Sequence, residues 1–102
     1  MIAAVSERAS DLEQLCVRYN VERLDLFGSA AAGSHGKGAS DLDFLVEFQP
    51  LPAGAYTDAY FGLLEALETL FGSPVDLVVD SAIRNPFFRQ RVEETRTQIY
   101  AA

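Results

Sequence analysis

Leu24-Asp25-Leu26-Phe27-Gly28-Ser29 and, beyond a loop of small residues, Ser40-Asp41-Leu42-Asp43-Phe44-Leu45-Val46 decide how this chain folds. The first reads as an apolar strand ending in Gly-Ser, the second as an apolar strand opening on two aspartates spaced i, i+2. Side chains alternate faces along a strand, so Asp41 and Asp43 are expected to project from one face. Two carboxylates side by side repel each other unless a cation sits between them. Beside a Gly-Ser turn able to hold phosphate, that pattern suits a metal-dependent nucleotide site. Gly28 lets the backbone approach a phosphate closely, and Ser29 offers a hydroxyl and an N–H.

Around this pair the chain reads α-β-β-α-β-α. Val5, Ala9, Leu12, Cys16 and Tyr19 form one helical stripe, which Asn20 can end. Leu24 to Phe27 is the first strand, and one helical turn is expected at Ala30-Ala31-Ala32. In the second strand, Asp41 to Phe48, Leu42, Phe44, Val46 and Phe48 share one face, and Asp41, Asp43, Leu45 and Glu47 the other. Pro50 and Pro52 break the chain before an amphipathic helix from Tyr56 to Phe71, which stops at Gly72 with Pro74 beyond. Val75 to Val79 is the third strand. Asn85-Pro86 caps a last helix whose apolar side carries Phe88, Val92, Thr95 and Ile99.

Strand directions follow from the chemistry. If Gly28 meets Asp41, strands one and two are antiparallel. The helix between strands two and three has crossover length, so those two are expected to be parallel with a right-handed connection. Asp76 then reaches the same sheet end as Asp41 and becomes the third carboxylate. An aspartate inside a buried apolar strand costs several kcal/mol unless paired or metal-bound, which singles out Asp76 between Val75 and Leu77. The expected fold class is α+β, a two-layer arrangement with a small mixed sheet and helices packed on one face.

Composition narrows the function. A chain of 102 residues is expected to form one domain, 1–102, and its 49% hydrophobic content suits a packed core. No apolar run approaches the ~20 residues of a membrane span, and Met1 to Arg8 lacks the pattern of a secretion signal. Cys16 is the only cysteine, which excludes an internal disulfide and a zinc cluster. A cytoplasmic protein is expected. The net charge of −7 argues against general nucleic-acid binding but not against a nucleotide carried with a divalent cation. Acidity also fits a partner with a basic surface. Gly36-Lys37 is no P-loop, because Ala31 and Gly38 stand where that motif needs glycine and Ser or Thr. Phe44 and Leu45 rule out an EF-hand. His35 reads as a solvated loop residue, and Tyr56, Tyr60 and Phe61 as core and helix edge.

Phe27-Gly28-Ser29, Gly33, Ser40-Asp41-Leu42-Asp43, Val75-Asp76-Leu77-Val78 and the closing Ile99-Tyr100 together resemble the DNA polymerase beta-like nucleotidyltransferase superfamily. Within it, the chain is similar to the minimal nucleotidyltransferase (MNT) antitoxins. The resemblance implies a nucleotidyltransferase fold that transfers a nucleoside monophosphate, AMP from ATP, to a hydroxyl. It places two-metal catalysis and Mg²⁺ binding on Asp41, Asp43 and Asp76, and nucleotide binding on Gly28, Ser29 and Ser40. It also implies a HEPN-family toxin as partner, with a toxin tyrosine as acceptor. In the family pattern Gly-Ser-x-Ala-Arg-Gly, Ala31 and Gly33 match while Ala32 stands in the arginine position. Lys37, Arg84 or Arg89 is then expected to supply the positive charge. The alternative is an antitoxin that neutralises its toxin by binding alone. A small-molecule nucleotidyltransferase of the aminoglycoside-modifying kind would need an additional substrate domain.

Overall fold

Alternating apolar residues in four segments produce the four-stranded mixed sheet seen in the computed structural model, which describes residues 3–31 and 42–102. Ala32, His35, Lys37, Ser40 and Asp41 lie outside the described residues. The elements are α1 (Ala3–Ser6), α2 (Ala9–Arg18), β1 (Val21–Phe27), α3 (Gly28–Ala31), β2 (Leu42–Phe48), α4 (Ala55–Phe71), β3 (Val75–Val79), a short 3₁₀ turn (Asp80–Ala82), α5 (Pro86–Thr95) and β4 (Thr97–Ala101). The sheet order is β3-β2-β1-β4. β1 runs antiparallel to β2, β2 runs parallel to β3, and α4 makes the crossover, as the sequence implies.

Leu24 and Leu26 of β1, Phe44 and Val46 of β2, and Val75 and Leu77 of β3 point to one face. There they bury against Leu12 and Cys16 of α2 and Leu63 and Leu67 of α4. Burial raises the Cys16 thiol to about 12, with the Glu13 charge adding to it, so the sulfur is inert at neutral pH. The α2 stripe ends at Asn20, which adopts a left-handed φ of 60° and turns the chain into β1. Gly72 closes α4 in the same left-handed region, its N–H donating to the Glu68 carbonyl. The Glu68 carboxylate accepts from the Val75 N–H and so fixes the start of β3 on the end of α4.

Four local readings change. The first helix is broken at Glu7-Arg8: Val5, Leu12 and Cys16 stay buried, while Ala9 is exposed. The helical turn after β1 begins at Gly28 rather than at Ala30. The last helix ends at Thr95, and Ile99 belongs to β4, which pairs antiparallel with β1. Helical spacing continues through Ile99, but β1 has an open edge there, and ladder hydrogen bonds outweigh weak helix propensity in Thr97-Gln98-Ile99-Tyr100. The helices also do not all lie on one face. Val92 and Phe88 of α5 pack on the opposite side, against Phe27, Leu45 and Val78. The fold is mixed α+β with both sheet faces covered.

Candidate functional site

The site sits on the α5 face, because strand period places the odd residues of β2 there. Asp43 is the register partner of Asp76 across the parallel β2–β3 pair and of Phe27 across the antiparallel β1–β2 pair. Strands lie about 4.8 Å apart, so residues in register on one face bring their side chains together. Asp43 and Asp76 thus form a carboxylate pair at one sheet end. Asp43 is half-buried, whereas Asp76 is exposed on the edge strand. Asp76 is not buried in its strand, so it carries no burial cost that a partner or metal must offset.

Gly28 is explained by this pair. A Cβ there would stand 2.5 Å from Asp43 Oδ2, and the backbone φ is +74°. Both conditions require glycine. The bare Cα makes room for a carboxylate. The Gly28 N–H is also committed: it donates to Thr95 Oγ1 at 2.9 Å. Ser29 is exposed at the start of α3.

Two clefts meet at this corner. One, of about 450 Å³, includes Asp43, Asp76, Tyr60 and Val78 in its lining. The other, of about 410 Å³, includes Gly28, Ser29, Arg91, Glu94 and Thr95. Phe27 and Phe88, edge to face with centroids 6.0 Å apart, line both and form the wall between them. On the edge-strand side, the Tyr60 hydroxyl donates to the Leu77 carbonyl at 2.6 Å. Phe61 and Tyr56 of α4 are exposed rather than part of the core.

The α5 helix is held over the sheet by a charge network that the sequence reading missed. Asp25 of β1 is 0% exposed. Its carboxylate accepts from Arg96 at 2.8 Å and from Arg23 at 3.0 Å. Arg96 also reaches Asp80 at 3.0 Å and Glu93 at 2.7 Å, and Arg89 reaches Asp80 at 2.6 Å. Burial pushes the Asp80 carboxyl up, but hydrogen bonds from Arg89 and Arg96 outweigh it and hold it below the ordinary range. Glu93 is lowered too, chiefly by Arg96. Burial works against the Arg96 charge, and the bonds from Asp25, Asp80 and Glu93 more than restore it. The signal was present in the sequence: Asp25 interrupts an apolar strand, as Asp76 does, and it is the one that is buried.

Arg89 is committed to Asp80 and Glu93, and Arg84 donates to the Ser81 carbonyl, so neither faces the Gly28–Ser29 turn. Among the described residues, no three His, Cys, Asp or Glu side chains gather as a metal centre. Asp43 and Asp76 offer oxygen alone, the donor chemistry that suits a hard cation such as Mg²⁺. No helix among the described residues is long and apolar enough to cross a membrane.

Residues 10–99 match the family model of the nucleotidyltransferase domain. The chain is 36% identical over 73 residues to the protein adenylyltransferase MntA of Thermococcus cleftensis, covering 72% of this chain and 70% of that protein. A solved structure described provisionally as a minimal nucleotidyltransferase superposes with a TM-score of 0.72 at 33% identity, over 90% of this chain and 89% of the other. The fold is also shared, at a TM-score of 0.64 and 19% identity, with a chain from the complex of a tri-AMPylated Shewanella oneidensis HEPN toxin and its MNT antitoxin. That match spans 95% of this chain and 72% of the other.

Proposed function

The chain belongs to the nucleotidyltransferase domain family, and we propose from that premise that it is an antitoxin of the MNT kind that transfers AMP from ATP to a tyrosine of a HEPN-family toxin. The observation that carries the reading is the Asp43–Asp76 pair, in register on one face, with Asp43 seated against the bare Cα of Gly28. The likeness to a named protein adenylyltransferase supports the reaction class. The shared fold of the toxin–antitoxin chain supports the partner class.

In the reaction, the tyrosine oxygen attacks the α-phosphorus of ATP. A new P–O bond forms, the bond to the β-phosphate bridging oxygen breaks, pyrophosphate leaves and the tyrosine proton passes to solvent. Asp41, two residues before Asp43, and Asp43 would hold two Mg²⁺ ions, with Asp76 completing the catalytic one. Bound there, one ion would make the hydroxyl more acidic and the other would neutralise charge on the departing pyrophosphate. Gly28, Ser29 and Ser40 would position the phosphates. Because the Gly28 N–H is already given to Thr95, this glycine acts by shape. Phe27 and Phe88 exclude water from the wall between the carboxylates and the Gly-Ser turn. One domain spanning residues 1–102 and acting in the cytoplasm completes the reading.

The test is transfer of labelled AMP to a HEPN toxin. Asp43→Asn is expected to abolish label transfer with an unchanged melting temperature, and Asp76→Asn to reduce it strongly. Full transfer by Asp43→Asn would remove the assignment. A second reading is favoured by Ala32 in the family's arginine position: neutralisation by binding alone. Wild-type protein that silences the toxin without any AMP on it would establish that alternative.

A further inference from the structure

An anionic triphosphate approaching two carboxylates needs positive charge beyond a metal, and Ala32 cannot provide it at the family's position. The other arginines are engaged. Arg8 pairs with Asp11, Arg18 lies over the Tyr19 ring, Arg23 binds Asp25, and Arg84 binds the Ser81 carbonyl. Arg89 and Arg96 are held in the carboxylate network. Arg91 is different. Its guanidinium has no partner among the described residues, and it lines the cleft that contains Gly28 and Ser29.

Arg91 is also tied to that turn through the backbone. The Thr95 hydroxyl accepts from the Gly28 N–H at 2.9 Å and donates to the Arg91 carbonyl at 3.3 Å. One hydroxyl therefore fixes this turn of α5 against the Gly-Ser turn. Arg91 and Thr95 stand i, i+4 and share a helix face with Phe88, which places all three over the same cleft. Among the described residues lining the cleft, Glu94 is the one acid.

Resting on the nucleotidyltransferase reading, we propose that Arg91 supplies from α5 the guanidinium that holds the triphosphate tail of the nucleotide, in place of the arginine missing at position 32. An arginine presents a planar fork of donors matched to phosphate oxygens. The helix fixes its backbone, so binding has only the side chain to order.

Calorimetric titration with AMP-PNP and Mg²⁺ tests this on wild type, Arg91→Ala, Arg91→Lys and Arg18→Ala. Losing a hydrogen-bonded charge pair weakens binding by about tenfold, so Arg91→Ala should lose about that factor. Arg91→Lys should fall between, and Arg18→Ala, with the same change in net charge, should match wild type. In AMP transfer, Arg91→Ala should raise the KM for ATP more than it lowers kcat. Equal AMP-PNP affinity in wild type and Arg91→Ala overturns the inference and leaves the nucleotidyltransferase reading standing. An equal loss in Arg18→Ala overturns it as well, since the effect would then be net charge. No AMP-PNP binding by wild type overturns both.

Discussion

On one face of the sheet, Leu24, Leu26, Phe44 and Val46 bury against α2 and α4 in a broad apolar cluster. On the other, among the described residues, Phe27, Leu45 and Val92 form the buried cluster, and Arg96 and Arg89 tie α5 to Asp25 and Asp80. The first face can close on shape and hydrophobicity with many tolerable sequences. The second depends on ion geometry, and it is the face that carries Asp43 and Asp76. The comparison teaches that stability and chemistry are divided between the two sides of one thin sheet. Carboxylates can be gathered on the α5 side because the α2/α4 side supplies most of the apolar burial.

The largest expected effect tests the apolar side. Phe44→Ala removes a ring that is 0% exposed and should cost about 4 kcal/mol in denaturant unfolding. Whatever remains folded should bind AMP-PNP as wild type does. A folded variant with a damaged nucleotide site would break the division of labour.

The charged side comes next. Arg96→Ala leaves Asp25 buried with a single partner and should destabilise by about 3 kcal/mol. Replacing both ends with apolar residues, Asp25→Leu with Arg96→Met, should recover most of that, because a buried pair's main liability is being half broken. If the double variant is no better than Arg96→Ala, the network contributes more than its pairing.

The smallest effect is a pH dependence. Asp80 and Glu93 have folded pKa values below their ordinary 3.8 and 4.5. Their contribution is therefore complete above those ordinary values and is lost as pH falls through the depressed ones. Unfolding free energy should be insensitive to these groups from pH 8 to 5 and should decline below about 4.5. Asp80→Asn should flatten that decline, while Phe44→Ala should keep it. A decline of equal slope in Asp80→Asn would assign it elsewhere.

What the sequence revealed follows the same division. β3 runs Val75–Val79, α4 stops at Gly72, and Asn85 accepts from the Phe87 and Phe88 N–H groups, because each rests on local chemistry in a few consecutive residues. Parallel β2–β3 pairing and the Asp43–Asp76 juxtaposition were legible because a helix of crossover length leaves few alternatives. The fourth strand was not, since its residues continue a helical spacing and become a strand only against the edge of β1. Asp25 and Asp76 each stand between two apolar residues of a strand. Their burial differs because one strand is internal and covered by α5 while the other is an edge, and only the folded sheet decides that. The Thr95–Gly28 bond joins residues 67 apart, with no local mark on either.

The place of β1 between β2 and β4 has a consequence for synthesis. Leu24 pairs with Tyr100, so the middle strand cannot complete its second ladder until residues near 100 have left the ribosome. Pairing over such separations slows folding, because a long loop must close before any bond rewards it. The nascent chain therefore carries its Gly-Ser corner unbraced until Thr95 and Arg96 have emerged and β4 can dock.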